Sequence, residues 1–272
     1  MAEIHPSALV GKEVELGEHV EIGPRCTVKG AVKLGDGVRL VGDVYLQGPL
    51  TIGAGTIVYP FACLGFPPQD IKFKLGDPTP GVVIGKNCTI REHVTIHAAT
   101  HAEIPTTVGD RVFMMINAHA GHDARIGSDV ILVNNVSLGG HTVVEDRVTL
   151  SGNCAIHQFV RIGKFAFIGG LVALTCDVPP FALIANKNEF TSINVIGMRR
   201  AGFSNEAITA TRRAFREAFR TTLPREQILE ILDRIGAGCE PVADIAAFVR
   251  SAKRPICHSV NSGVQDSTVA TA

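Results

Sequence analysis

Beginning at Ile4, every sixth residue as far as Leu64 is aliphatic: Val10, Leu16, Ile22, Val28, Leu34, Leu40, Leu46, Ile52 and Val58 lie between. The register is lost from Phe66 to Val83. It resumes at Ile84, Ile90 and Ile96, and from Val108 runs as far as Leu174. A second stripe of small or β-branched residues follows four positions behind the first and includes Cys26, Cys88 and Cys154. Glycine often follows the aliphatic residue, as at positions 11, 17, 23, 35, 109 and 127. A period of six fits neither the 3.6 of a helix nor the 2 of a long strand. It fits a parallel β-helix in which each hexad supplies a short strand and a turn, with the aliphatic side chain inside. Three hexads close one triangular coil, so residues 18 apart stack at about 4.8 Å. The narrow interior accounts for the absence of Trp and for only 2 Tyr among 272 residues.

The pattern stops at Pro179-Pro180. Beyond it, Ser204-Asn205-Glu206 opens an amphipathic helix bearing Phe215 and Phe219 as core residues. Leu223-Pro224 breaks this helix, a second follows over Ile228 to Ile235, and Pro241 to Lys253 suggests a third. The expected organisation is a β-helix over 1–186 with a loop insertion near 66–83, a helical domain over 187–255 and a loose tail over 256–272. Ala98 to Thr107 reads either as a further loop or as two hexads in register. Lys and Arg (26) balance Asp and Glu (26), so the chain is not a general polyanion binder and nucleic acid is not an expected partner. No membrane span or secretory signal is visible, which places the expected location in the cytoplasm. The seven cysteines contain no Cys-x-x-Cys pair and read mostly as small core residues.

A repeat scaffold needs only its periodic residues, so polar residues outside that requirement are candidates for chemistry. The 18-residue stacking aligns Gly121-His122-Asp123, Gly139-Gly140-His141 and His157-Gln158-Phe159 in three successive coils. His122 then lies over Gly140 and Asp123 over His141, on one exposed ridge, with His119 around the corner. A histidine beside an aspartate suits general base work, because the carboxylate orients the imidazole and stabilises its cation. A glycine N–H next to it suits a developing oxyanion. No Ser, Cys or Lys stands as a nucleophile, so direct attack by a substrate hydroxyl or amine on an activated acyl group is the simplest chemistry. The rival is a metal site built from His119, His122 and His141; the preferred expectation is no metal and no cofactor.

The hexapeptide period resembles that of the hexapeptide-repeat acyltransferases, which implies a left-handed coil and a homotrimer. Six motifs make the resemblance specific: Met115 to Asp123, Gly139-Gly140-His141, Ala155 to Phe159, Asp177-Val178-Pro179-Pro180, Gln69-Asp70-Ile71-Lys72 and Asn194 to Phe203. Together they resemble the acyl-ACP:UDP-N-acetylglucosamine O-acyltransferases, which open lipid A biosynthesis, over about Ile4 to Lys253. The resemblance implies transfer of a 3-hydroxyacyl chain from acyl carrier protein to the 3-position of the UDP-sugar. His122 would be the general base, Asp123 the carboxylate beside it and Gly140 the oxyanion donor. Lys72, His119, His141, His157 and Gln158 match substrate-contacting positions, Asn194 and Arg200 match residues near the nucleotide and phosphates, and Gly170 matches the position that limits acyl length. Ile196 and Ala201 depart from the common pattern of an acidic residue and a further arginine. A 3-amino sugar acceptor therefore stays open, as does a non-catalytic, carrier-protein-binding trimer. The six arginines between 199 and 220 read either as a solvated helix face or as a docking patch for an acidic carrier protein.

Overall fold

The computed structural model describes residues 1–101, 103–221 and 223–259. Short strands wind into a left-handed parallel β-helix whose three faces are sheets of 12, 9 and 8 strands. Register follows the hexad arithmetic. Ile22 pairs with Leu40, and His119, Ser137 and Ala155 succeed one another at intervals of 18. From Ile22 onward the aliphatic column is sealed, most of its members exposing 3% or less of their surface. Each such side chain contributes about 1.5–3 kcal/mol of burial. Ile4 is exposed, because no coil lies above the first.

Two coils are longer. Ile57 pairs with Thr89, 32 residues on, and this excess carries the Phe66–Val83 excursion. Thr89 pairs with Phe113 and Thr95 with His119, both 24 apart, so the Ala98–Thr107 stretch adds one hexad and forms a loop while the frame is kept.

The corners divide their labour between two residues. A Cβ on Gly127 would lie 2.8 Å from the Asp146 nitrogen of the next coil, so glycine is required there by close approach and not by its dihedral angle. The left-handed conformation falls two positions after such a glycine at Arg25 and Asp129, and at corners without that glycine it falls on Asn117, Asn135 and Asn153. Asn tolerates this region better than most residues. Here the three asparagines also form a side-chain ladder, with Nδ2 of Asn117 donating to Oδ1 of Asn135 (2.9 Å) and Nδ2 of Asn135 to Oδ1 of Asn153 (3.1 Å). Asp123 (φ 60°) and His141 (φ 58°) occupy the same kind of position on a different edge.

The far end of the prism is closed by an antiparallel hairpin, Ala182–Asn186 with Glu189–Ile193, and by four helices. These are α1 (Val195–Arg200), α2 (Asn205–Ala218), α3 (Arg225–Gly236) and α4 (Glu240–Ser251). The Ser204 hydroxyl caps α2 by accepting from Ala207 N at 3.2 Å. Phe215 and Phe219 are buried in the core, as their spacing predicts. Phe165, Phe181 and Phe203 pack ring on ring between the last coils and the helices.

The hairpin and α1 carry no repeat, and the domain expected to be helical from 187 opens instead on the strand Glu189–Ile193. The expected loose tail also differs at its start. Ile256 bridges to Asp177, Cys257 is buried, and His258–Ser259 adds a parallel strand beside Glu189–Phe190. An aliphatic and a thiol side chain find apolar cover there, which composition alone does not reveal. The rest of that expected tail, 260–272, lies outside the described residues.

Candidate active site

Three coils and one loop build the site. The turn after strand His119–Ala120 carries His122 and Asp123, and the turn after Ser137–Leu138, one coil below, carries Gly140 and His141. His122 Nδ1 lies 2.7 Å from Asp123 Oδ2. The hydrogen bond assigns the proton to Nδ1, since a carboxylate only accepts, and leaves Nε2 basic. A Cβ built on Gly140 would stand 2.6 Å from His122 Nε2 and 2.6 Å from Cε1, so glycine is what admits the imidazole. The Gly140 N–H makes no hydrogen bond to the described residues, whereas matching turn amides on a neighbouring edge are capped by side chains, as Ser128 N is by Asp146 Oδ1.

The ridge is not open as the stacking predicts: Asp123 exposes only 9% of its surface. The inserted hexad covers it. Thr100 donates its Oγ1 proton (2.7 Å) and its backbone N–H (3.1 Å) to the Asp123 carboxylate, and His101 N adds a longer contact (3.4 Å). Thr106 Oγ1 accepts from Asp123 N at 2.8 Å. Burial pushes the Asp123 carboxyl upward, but the bonds from His122, Thr100 and His101 outweigh it and hold the group below its usual value. The carboxylate is therefore charged at neutral pH and locked in direction.

Around this pair stand further rings. His141 lies edge-on to His122 (5.0 Å between centroids) and stacks on Phe159 (4.5 Å). Burial lowers the His141 pKa, as do His122 and His101, while Asp123 and Asp70 pull the other way. His119 Nδ1 bonds Thr95 Oγ1 at 2.7 Å, and its pKa is pushed down to about 4 by burial and by neighbouring His97 and His122.

His122, Asp123, Gly140 and His141 thus come together, with His119 behind them. His157 and Gln158 are exposed on the next turn down. Lys72 is exposed on the excursion, whose start is tied by Pro67 O to His97 Nδ1 (2.8 Å). A Cβ at Gly170 would meet only ordinary van der Waals contact, the nearest atom being Gly152 O at 3.4 Å. Asn194 caps α1, its Oδ1 accepting from Gly197 N (2.9 Å) and its Nδ2 donating to Phe165 O (2.9 Å); both ends of the amide are engaged. Arg200 is exposed in the last turn of α1. The structure makes no metal triad of His119, His122 and His141; among the described residues the grouping with ligand spacing is His101, Asp123 and His141. Thr100, His101 and Thr106 escape the sequence argument, although Thr100 and Thr106 sit on the continuation of the second stripe; Phe159 stands in the third stacked triplet, but its stacking on His141 is not readable there.

The profile of the family described as Udp N-acetylglucosamine O-acyltransferase, Domain 2, matches residues 177–257. The acyl-ACP:UDP-N-acetylglucosamine O-acyltransferase of Sinorhizobium fredii is 40% identical over 96% of this chain and 97% of its own. The chain belongs to that acyltransferase family. The enzyme of the same name from Thermodesulfovibrio yellowstonii is 41% identical over 94% of this acyltransferase and all of its own length. Among solved structures, the Francisella novicida UDP-N-acetylglucosamine acyltransferase superposes with a TM-score of 0.91 at 32% identity, covering 98% of both chains. That from Campylobacter jejuni gives 0.86 at 34% identity over 94% of this acyltransferase and 99% of its own chain.

Proposed function

We propose that this acyltransferase moves a 3-hydroxyacyl chain from acyl carrier protein to the 3-hydroxyl of UDP-N-acetylglucosamine, the first step of lipid A biosynthesis. The observation that carries the mechanism is the 2.7 Å bond between His122 Nδ1 and Asp123 Oδ2, with Nε2 turned to the space above Gly140. Nε2 takes the proton of the sugar hydroxyl as its oxygen attacks the thioester carbonyl carbon. The carbonyl oxygen becomes an oxyanion facing the Gly140 N–H. Asp123 steadies the imidazolium. The intermediate collapses, the C–S bond breaks, and His122 returns the proton to the departing carrier-protein thiolate. The ester product and free thiol balance the equation without metal or covalent enzyme.

His119, His141, His157, Gln158, Lys72, Asn194 and Arg200 are assigned to substrate. Asn194 acts through its cap on α1, since its side chain is occupied, and Arg200 is free to meet phosphate. Gly170 lies in the acyl track: its backbone does not demand glycine, so the missing side chain leaves room. Arg199, Arg200, Arg212 and Arg216 are exposed without a carboxylate partner among the described residues, and this supports docking of an acidic carrier protein. A homotrimer is the proposed assembly and the cytoplasm the proposed location. Among the described residues no helix is long and apolar enough to cross a membrane.

A second acceptor is favoured by one observation: Ile196 is 65% exposed on α1, an aliphatic side chain where the pattern that the sequence resembles has an acidic one. Mass spectrometry of products from a mixture of 3-hydroxyacyl carrier proteins with UDP-N-acetylglucosamine or its 3-amino analogue tests both. An ester that disappears in His122→Ala supports the main proposal. An amide alone transfers it to the amino sugar, and carrier-protein binding without either product overturns it.

A further inference from the structure

The loop that covers Asp123 brings a third imidazole to the site. Ligand atoms of His101, Asp123 and His141 all lie within 4.8 Å of one another, and His141 Nε2 is already 3.6 Å from Asp123 Oδ2. Tetrahedral zinc, with bonds of about 2.0–2.2 Å, needs its ligand atoms about 3.3 Å apart. His101 is exposed on the inserted loop and lines the same cavity as the other two groups. Its ring centroid stands 5.5 Å from that of His141. The three groups open onto a cavity of about 570 Å³, which leaves a fourth coordination position accessible. Its lining also holds one further acidic and one basic side chain, Glu103 and Arg125. Two imidazoles and one carboxylate match zinc or cobalt and suit calcium or magnesium poorly.

We propose that His101, Asp123 and His141 form an inhibitory site for a borderline divalent cation such as Zn²⁺. Asp123 Oδ2 already receives His122 Nδ1 and Thr100 Oγ1. An entering cation takes the lone pair that orients the base and fills the space in front of it. Metal and productive histidine thus compete for one carboxylate, and the enzyme loses turnover in proportion to site occupancy. The inhibition rests on the acyltransfer mechanism above; the binding does not.

Cobalt titration of tag-free protein, followed by visible absorption, reads binding without turnover. The expected result is one Co²⁺ per chain with low-symmetry d–d bands. In His101→Ala, which keeps the backbone N–H to Asp123, binding should weaken by more than about 10- to 100-fold, the loss typical of a supporting partner alone. Zn²⁺ should then silence the wild-type enzyme reversibly, with recovery on chelation, while the rate of His101→Ala, whatever its zinc-free value, should be the same with and without that zinc concentration. Absence of the cobalt bands, or bands and zinc sensitivity equal in both proteins, would overturn the proposal. Intact cobalt bands in a protein that acylates no sugar would support the metal site and reject the acylation instead.

Discussion

At Gly140 and His122 two residues share a volume that admits one side chain. Gly140→Ala introduces a carbon 2.6 Å from the imidazole while its backbone stays in a conformation open to alanine. The expected outcome is a melting temperature close to wild type with kcat reduced by about 10²-fold or more, the scale of a displaced general base. Asp123→Asn keeps the volume but can no longer both accept from His122 and stabilise its cation. A loss of about 10²–10⁴ in kcat is expected, measured beside an unchanged circular dichroism spectrum. His119 supplies a pH dependence. Its folded pKa, about 4, lies below the unfolded value, so between the two the unfolded chain binds the extra proton. Stability therefore falls as pH drops from about 6.5 towards 4. His119→Gln should flatten that part of a melting-temperature profile, and an unchanged slope would count against a buried neutral ring. The His122, Asp123, Gly140 and His141 group is legible in the sequence because stacking at 18 holds there. Thr100 and His101 were hidden because counting 18 back from Asp123 reaches Pro105, and the extra hexad shifts the true neighbours.

At the level of elements, the prism is readable because its period is imposed by the geometry of closure, and every coil repeats the test. The hairpin 182–193 and the six-residue α1 offer no repeat and too short a face, so only tertiary packing defines them. Such packing shows at Thr106, wholly buried on the strand Thr106–Val108 and bonded to Asp123 N. Thr106→Val preserves shape but strands that amide, and a loss of about 1–3 kcal/mol is expected in denaturant unfolding. The same change loosens the turn holding the carboxylate, so kcat should fall together with stability.

For the whole molecule, Tyr45, Phe61, Ile116, Phe159 and Leu171 remain exposed along the prism, an apolar load consistent with neighbouring copies. Sedimentation equilibrium should return the mass of three chains, and a monomer at micromolar concentration would reject the trimer. The two long coils carry a different lesson. The one holding Thr100 and His101 gains six residues, and the strands beyond it pair as if nothing had been added. The other spans 32, breaks the phase, and must be pinned at both mouths by left-handed glycines, Gly65 and Gly81, whose Cβ atoms would strike Gln47 O and Pro49 O. The prism behaves like a text with a reading frame. Insertions in multiples of six add a word and leave the meaning downstream intact, while any other length needs punctuation on either side. New side chains can therefore be offered to an old active site one hexad at a time, at little risk to the scaffold that holds it.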